Sequence, residues 1–246
     1  MLAKRIIPTI LARGRTLVKG RAYDGWRSVG VAAQAARIHS MRGVDEIVLL
    51  DIGATPENRG PDAALIKELA AWCFTPLAVG GGITKLEHVQ ALLDAGADKV
   101  VIGTGIFLTR VLEKASARYG TQALVASIDV RHDRVWSHCG KMEWPMAPEH
   151  FAMLCEDWGA GEVILNAMDR EGTMAGYDLD LISKVASRIN VPLVASCGAG
   201  SYEHMHQALQ AGADAVAAGA MFQFTDATPA GAAQYLLERG IEVRTT

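Results

Sequence analysis

Glycines set the first chemical expectation. Gly80-Gly81-Gly82, Gly103-Thr104-Gly105, Cys197-Gly198-Ala199-Gly200 and Gly219-Ala220 each close a short apolar run. Glycine at such a point lets backbone N–H groups come close to a phosphate, with a helix N-terminus behind it. Gly81, Gly82, Gly103 and Thr104 would form one anion site, and Gly198, Gly219 and Ala220 a second. A ligand carrying a phosphate at each end would occupy both. The other reading is that these glycines only make tight strand-to-helix turns. Metal chemistry has no comparable pattern: His138 and Cys139 lack further ligands at metal spacing, so no metal and no cofactor are expected.

The elements that must position these glycines are regular. Apolar runs at 4–11, 45–52, 75–81, 98–104, 123–130, 161–168, 191–197 and 214–220 read as strands buried on both faces. Helical periodicity fills stretches such as 63–72, 86–96, 180–189 and 202–212. Eight strand–helix units in about 250 residues point to one α/β domain over 1–246, a (βα)8 barrel. A constant offset of 116 residues pairs Gly43 with Gly159, Asp62 with Asp178, Gly82 with Gly198 and Ala95–Asp98 with Ala211–Asp214. Such self-similarity predicts two similar half-barrels, about 1–120 and 121–246, and hence two equivalent anion sites.

Composition narrows the function. With 24 Lys plus Arg against 27 Asp plus Glu, the net charge of −3 gives no basic field for nucleic acid or an anionic membrane. No apolar run approaches the roughly 20 residues of a membrane span, and the basic start lacks a secretory signal's pattern. Four scattered Cys without a CxxC pair suit a cytoplasmic protein with reduced thiols.

KRIIPTIL, DEIVLLDI, PLAVGGGI, GADKVVIGT, SIDV, DREGTMAGYD and GADAVAAGAMF occur in order along the chain. Together they resemble the cyclase subunit of imidazole glycerol phosphate synthase and the sister isomerase of histidine biosynthesis. The resemblance implies a barrel that receives ammonia from a separate glutaminase subunit and adds it to a two-phosphate ribonucleotide. It implies a charged ring where ammonia enters at the bottom face, matched here by Arg5, Glu46, Lys99 and Glu162. Buried charges need partners, so alternating signs suit a closed ring, as ammonia gate or as plain structural seal. It also implies general acid–base carboxylates at the ends of strands 1 and 5. Asp129 matches the second; Leu11 stands where the first belongs. Lys19 in the first loop and Asp51 match substrate-binding positions, Glu171 stands for the family's Asp, and Gly103 stands for its Asn. Asp51 and Asp129 also admit a purely structural role at their turns, and Asp169 with Arg170 reads as a loop ion pair.

Leu11, Gly103 and Glu171, together with CFTPLA at 73–78 and SIDV at 127–130, resemble a diverged branch linked to surface polysaccharides. There the barrel passes glutaminase-derived ammonia toward an acceptor, with a sugar amidotransferase making an acetamidino group during lipopolysaccharide synthesis. The alternatives are an authentic cyclase–lyase of histidine biosynthesis and a non-catalytic conduit that activates its glutaminase. An isomerase like the sister enzyme fits less, since it too wants the strand 1 carboxylate and has no use for the ring.

Overall fold

The computed structural model describes residues 3–244, so the outermost residues of the expected 1–246 domain lie outside the described residues. The strands in chain order are β1 (Arg5–Arg13), β2 (Thr16–Arg21), β3 (Asp24–Val31), β4 (Ile47–Asp51), β5 (Leu77–Gly80) and β6 (Lys99–Ile102). They continue with β7 (Leu124–Arg131), β8 (Arg134–Ser137), β9 (Met142–Trp144), β10 (Glu162–Ala167), β11 (Leu193–Ser196) and β12 (Ala215–Ala218). Parallel pairing runs β1-β4-β5-β6-β7-β10-β11-β12 and returns to β1, which closes a (βα)8 TIM barrel. β2–β3 and β8–β9 are antiparallel hairpins extending β1 and β7 beyond their C-terminal ends.

The helices are α1 (Ala32–Met41), α2 (Ala63–Ala70), α3 (Leu86–Asp94), α4 (Gly105–Thr109) and α5 (Val111–Tyr119). After them come α6 (Pro148–Asp157), α7 (Leu179–Ala186), α8 (Tyr202–Gln210), α9 (Ala220–Phe224) and α10 (Pro229–Leu237). The four helical stretches expected from periodicity lie over α2, α3, α7 and α8. No described helix is long and apolar enough to cross a membrane.

Alternation along the strands sorts side chains into two cores. Ile6, Ile10, Ile47, Leu49, Ile102 and Leu124 pack outward against the helices. Ile7, Val48, Val101, Val125, Ile164 and Val194 fill the barrel axis with Ala78, Ala215 and Ala217. Two residues further along β1, β4, β7 and β10 come Thr9, Leu50, Ser127 and Asn166, at the cavity.

The 116-residue offset recurs in the hydrogen bonds. Asp62 and Asp178 each accept from an amide three residues on, at 2.9 and 3.0 Å, capping α2 and α7. Asp98 accepts from Leu77 N–H as Asp214 does from Leu193 N–H. Behind each glycine turn an imidazole Nδ1 accepts from the backbone, His88 from Thr84 and His204 from Gly200.

Candidate functional site

A cavity of about 310 Å³ opens at the C-terminal ends of the barrel strands, a size suited to a small ligand. Asp129 enters it from β7. Its Oδ1 accepts from the Tyr23 hydroxyl at 2.9 Å and from Asn166 Nδ2 at 3.0 Å. Surrounding protein raises its pKa from 3.8 to about 6, although both hydrogen bonds pull the other way. A carboxyl near 6 exchanges protons readily at neutral pH.

Strand register identifies the mate of Asp129. Asp129 lies opposite Asn166 on β10, and Leu11 lies opposite Leu50 on β4. Leu50 and Asn166 are themselves related by the 116-residue offset, so Leu11 and Asp129 hold equivalent places. Leu11 lines the cavity and is buried, with Leu50, Ile52 and Ile83 on the same lining.

Lys19 stands on β2, not in a loop as the resemblance implied. It is 4% exposed, and its Nζ is 3.4 Å from the Thr9 carbonyl with no carboxylate in contact among the described residues. Burial lowers its pKa. A Cβ placed on Gly219 would meet Nζ at 2.3 Å, so the cation lies against the second glycine cluster. An unpaired buried ammonium beside backbone amides suits an anion. Gly198 has φ +100°, and a Cβ there would strike the Gly176 carbonyl at 2.2 Å, so only glycine fits. Ala220 opens α9 at this cluster.

In the first cluster, Gly81 and Gly82 have φ of +119° and +69°, and a Cβ on either would strike a carbonyl oxygen. Thr104 precedes α4, and its hydroxyl accepts from His138 N–H at 2.8 Å, so it also ties down the second hairpin. Gly103 differs. Its φ is not positive, and an added Cβ would meet only Ser127, at 3.8 Å. A larger side chain fits there, so its absence widens the cavity.

Asp51 lines the cavity but is already committed. Its oxygens accept from Gly14 N–H, Gly53 N–H and both terminal nitrogens of Arg59, at 2.7 to 3.2 Å. This favours the structural reading of Asp51, which anchors the loop after β4. Glu171 reaches the cavity beside Cys197, raising that thiol's pKa after the larger effect of burial. Asp169 pairs with Arg131 at 2.9 Å, not with Arg170.

The β8–β9 turn folds over the cavity. Cys139 lines it, donates weakly to the Ile52 carbonyl at 3.6 Å, and is pushed up to about 12 chiefly by burial. Tyr23 and Asn166 escaped the sequence reading, and Cys139 entered it only as a cysteine without metal partners. Asn166 had a signal, as a polar residue inside an apolar strand run. Tyr23 and Asp129 are separated by 106 residues, and no local pattern joins them.

At the opposite end, Arg5 bonds Glu46 and Glu162, while Lys99 reaches Glu46 at 2.8 Å and Glu162 at 2.7 Å. The four side chains form a closed ring of alternating charge at the barrel floor. Glu46 and Glu162 are buried, whereas Arg5 and Lys99 keep contact with solvent. Apolar residues of the inner core separate this ring from the cavity.

Residues 5–228 match the family model described as "Histidine biosynthesis protein". The chain belongs to that family. Similarity extends over nearly the whole sequence. The chain is 38% identical to the imidazole glycerol phosphate synthase subunit HisF of Chlorobium limicola over 250 residues, covering 99% of this chain and 100% of the relative. The protein of the same name from Dictyoglomus thermophilum is 41% identical, with 99% of both chains covered. That from Dictyoglomus turgidum is 40% identical over the same shares. The histidine biosynthesis family thus supplies this barrel's relatives, while none of these names concerns a polysaccharide.

Proposed function

We propose that this chain is a cyclase-type subunit of an imidazole glycerol phosphate synthase, consuming ammonia at the cavity and taking it from a glutaminase docked on the floor. The observation that carries the reading is the presentation of Asp129, a carboxyl near pKa 6, between two glycine clusters, one of them backed by Lys19. The clusters would bind the two phosphates of the substrate. Asp129 would move protons at the reacting centre. Ammonia can cross the apolar layer above the ring only as the neutral molecule, because an ammonium ion there would be desolvated without a partner.

The relatives' name calls each of them a synthase subunit, which supports a multi-chain assembly here too. Arg5, Glu46, Lys99 and Glu162 are the proposed gate. With a glutaminase present, wild type should pass glutamine-derived ammonia to product without leakage, and Lys99→Ala should release it to solvent. Gate variants that couple as well as wild type would make the ring a seal alone.

One observation favours a second reading. Leu11 cannot transfer a proton, and general acid–base groups contribute about 10²–10⁴-fold each. On that ground the barrel would conduct ammonia to an acceptor held elsewhere, such as the sugar of an acetamidino pathway. Incubating the purified chain with an ammonium salt and the ribonucleotide substrate separates the two. Ammonia-dependent cyclisation supports the first reading, and its absence supports the conduit. The polypeptide would act in the cytoplasm as one domain of two half-barrels, which the repeated hydrogen bonds favour.

A further inference from the structure

The two donors on Asp129 fall on one atom. Tyr23 Oη and Asn166 Nδ2 both bond Oδ1, and Oδ2 accepts from no protein group among the described residues. Asn166 comes from β10, part of the barrel. Tyr23 comes from the β2–β3 turn, where Ala22 and Tyr23 have φ of 49° and 65°. That turn is held over the cavity by Ala22 N–H bonding the Glu171 carbonyl and by Arg131 bonding the Ala22 carbonyl, at 2.8 and 3.0 Å. The phenol therefore reaches Asp129 from a lid whose own backbone is tied down on two sides.

We infer that Tyr23 is a positioning residue that, with Asn166, saturates Oδ1 and leaves Oδ2 as the atom that exchanges protons with the ligand. This rests on the reading of Asp129 as the proton-transfer group. An ionised carboxylate has about four lone-pair sites and no fixed orientation of its own. Two donors on one oxygen fix the carboxyl plane and favour the ionised form. The phenol itself stays protonated, since burial and the nearby carboxylate raise its pKa well above the usual value. Tyr23 thus serves as donor and not as base. The orientation of Asp129 is thereby tied to the placement of the β2–β3 turn, which supplies one of its two donors. The other titratable groups facing Asp129 are Cys139 from the β8–β9 turn and Cys197 after β11, with Glu171 beyond Cys197. Neither thiol donates a hydrogen bond to the carboxylate.

The test is direct titration of Asp129 by carbon NMR in protein labelled at the aspartate carboxyls, with Asp129→Asn supplying the assignment. Wild type should titrate near pH 6, and Tyr23→Phe should titrate at higher pH, because the ionised form has lost a donor. Asn166→Leu should move it in the same direction. Hydrogen exchange of the β2–β3 amides should quicken in Tyr23→Phe with little change in melting temperature. Unaltered titration in Tyr23→Phe overturns the inference and leaves the proposed function standing. A wild-type Asp129 that does not titrate between roughly pH 4 and pH 8 overturns the proton-transfer reading and this inference together.

Discussion

The two sides of the cavity descend from the same strand arrangement and differ in chemistry. On the β7–β10 side, Ser127, Asp129 and Asn166 form a hydrogen-bonded polar wall, with Asn166 Nδ2 bonding both neighbours at 3.0 Å. On the β1–β4 side the equivalent positions are Thr9, Leu11 and Leu50. The polar wall holds a carboxyl whose pKa desolvation raises to about 6, so it is mostly ionised at pH 7 with a minor protonated fraction. The apolar wall keeps water out and holds no proton. A barrel of this symmetry has two equivalent positions for such a carboxyl, and this chain fills one of them. The floor shows no such loss: all four ring charges are present and paired.

The largest effect should come from removing the polar wall's carboxyl. Asp129→Asn should lower any turnover by about 10²–10⁴-fold. It should also stabilise the fold at pH 7. Asp129 has a folded pKa of about 6 against 3.8 for the free group, so its contribution is fully present below 3.8 and lost as pH rises through 6. The neutral amide avoids that loss, worth about 1–3 kcal/mol. Calorimetry beside the assay would show activity and stability moving in opposite directions.

Leu11→Asp makes the walls alike. It should cost about 2–4 kcal/mol through lost apolar packing and a new buried charge. If the missing carboxyl limits the rate, turnover should rise despite that cost. A rise that disappears in the Leu11→Asp, Asp129→Asn double variant would show that the two groups work as a pair.

A buried imidazole supplies the opposite pH response to Asp129. His39 on α1 is lowered from 6.5 to about 4, chiefly by burial, so its contribution is present above 6.5 and is lost as pH falls through 4. Between these values His39 withdraws what Asp129 returns. Asp129→Asn removes one of these two responses, so its melting temperature should gain on that of wild type as pH rises across this window, by the equivalent of about 1–3 kcal/mol. The smallest effect belongs to Gly103→Asn, where open space should hold the change under about 1 kcal/mol. Phosphate should protect this variant against heat at least as well as wild type.

The barrel was legible because buried parallel strands are nearly all apolar, and the expected runs overlie the eight barrel strands within one or two residues at each end. The floor ring was legible from the family pattern, and buried charges at the starts of such strands need partners. The β2–β3 hairpin was not. β3 reads DGWRSVGV, with no alternation to separate it from a loop, and it is mostly exposed. Its role depends on Tyr23 reaching a residue in the other half of the sequence. The commitment of Asp51 to Arg59 was not legible, because Arg59 lies beyond the motif that carries Asp51. Leu11 was legible twice, from the family pattern and from the internal repeat, and strand register supports its equivalence to Asp129 a third way.

The central claim is that proton transfer in this barrel rests on Asp129 alone. It is tested most directly by ammonia-dependent turnover of the ribonucleotide, measured side by side for wild type and Asp129→Asn. The account predicts slow but measurable turnover in wild type, at least about 10²-fold below a median enzyme's rate near 10 s⁻¹, and none in the variant. Equal rates in the two proteins, or turnover at the ordinary rate in wild type, would contradict it.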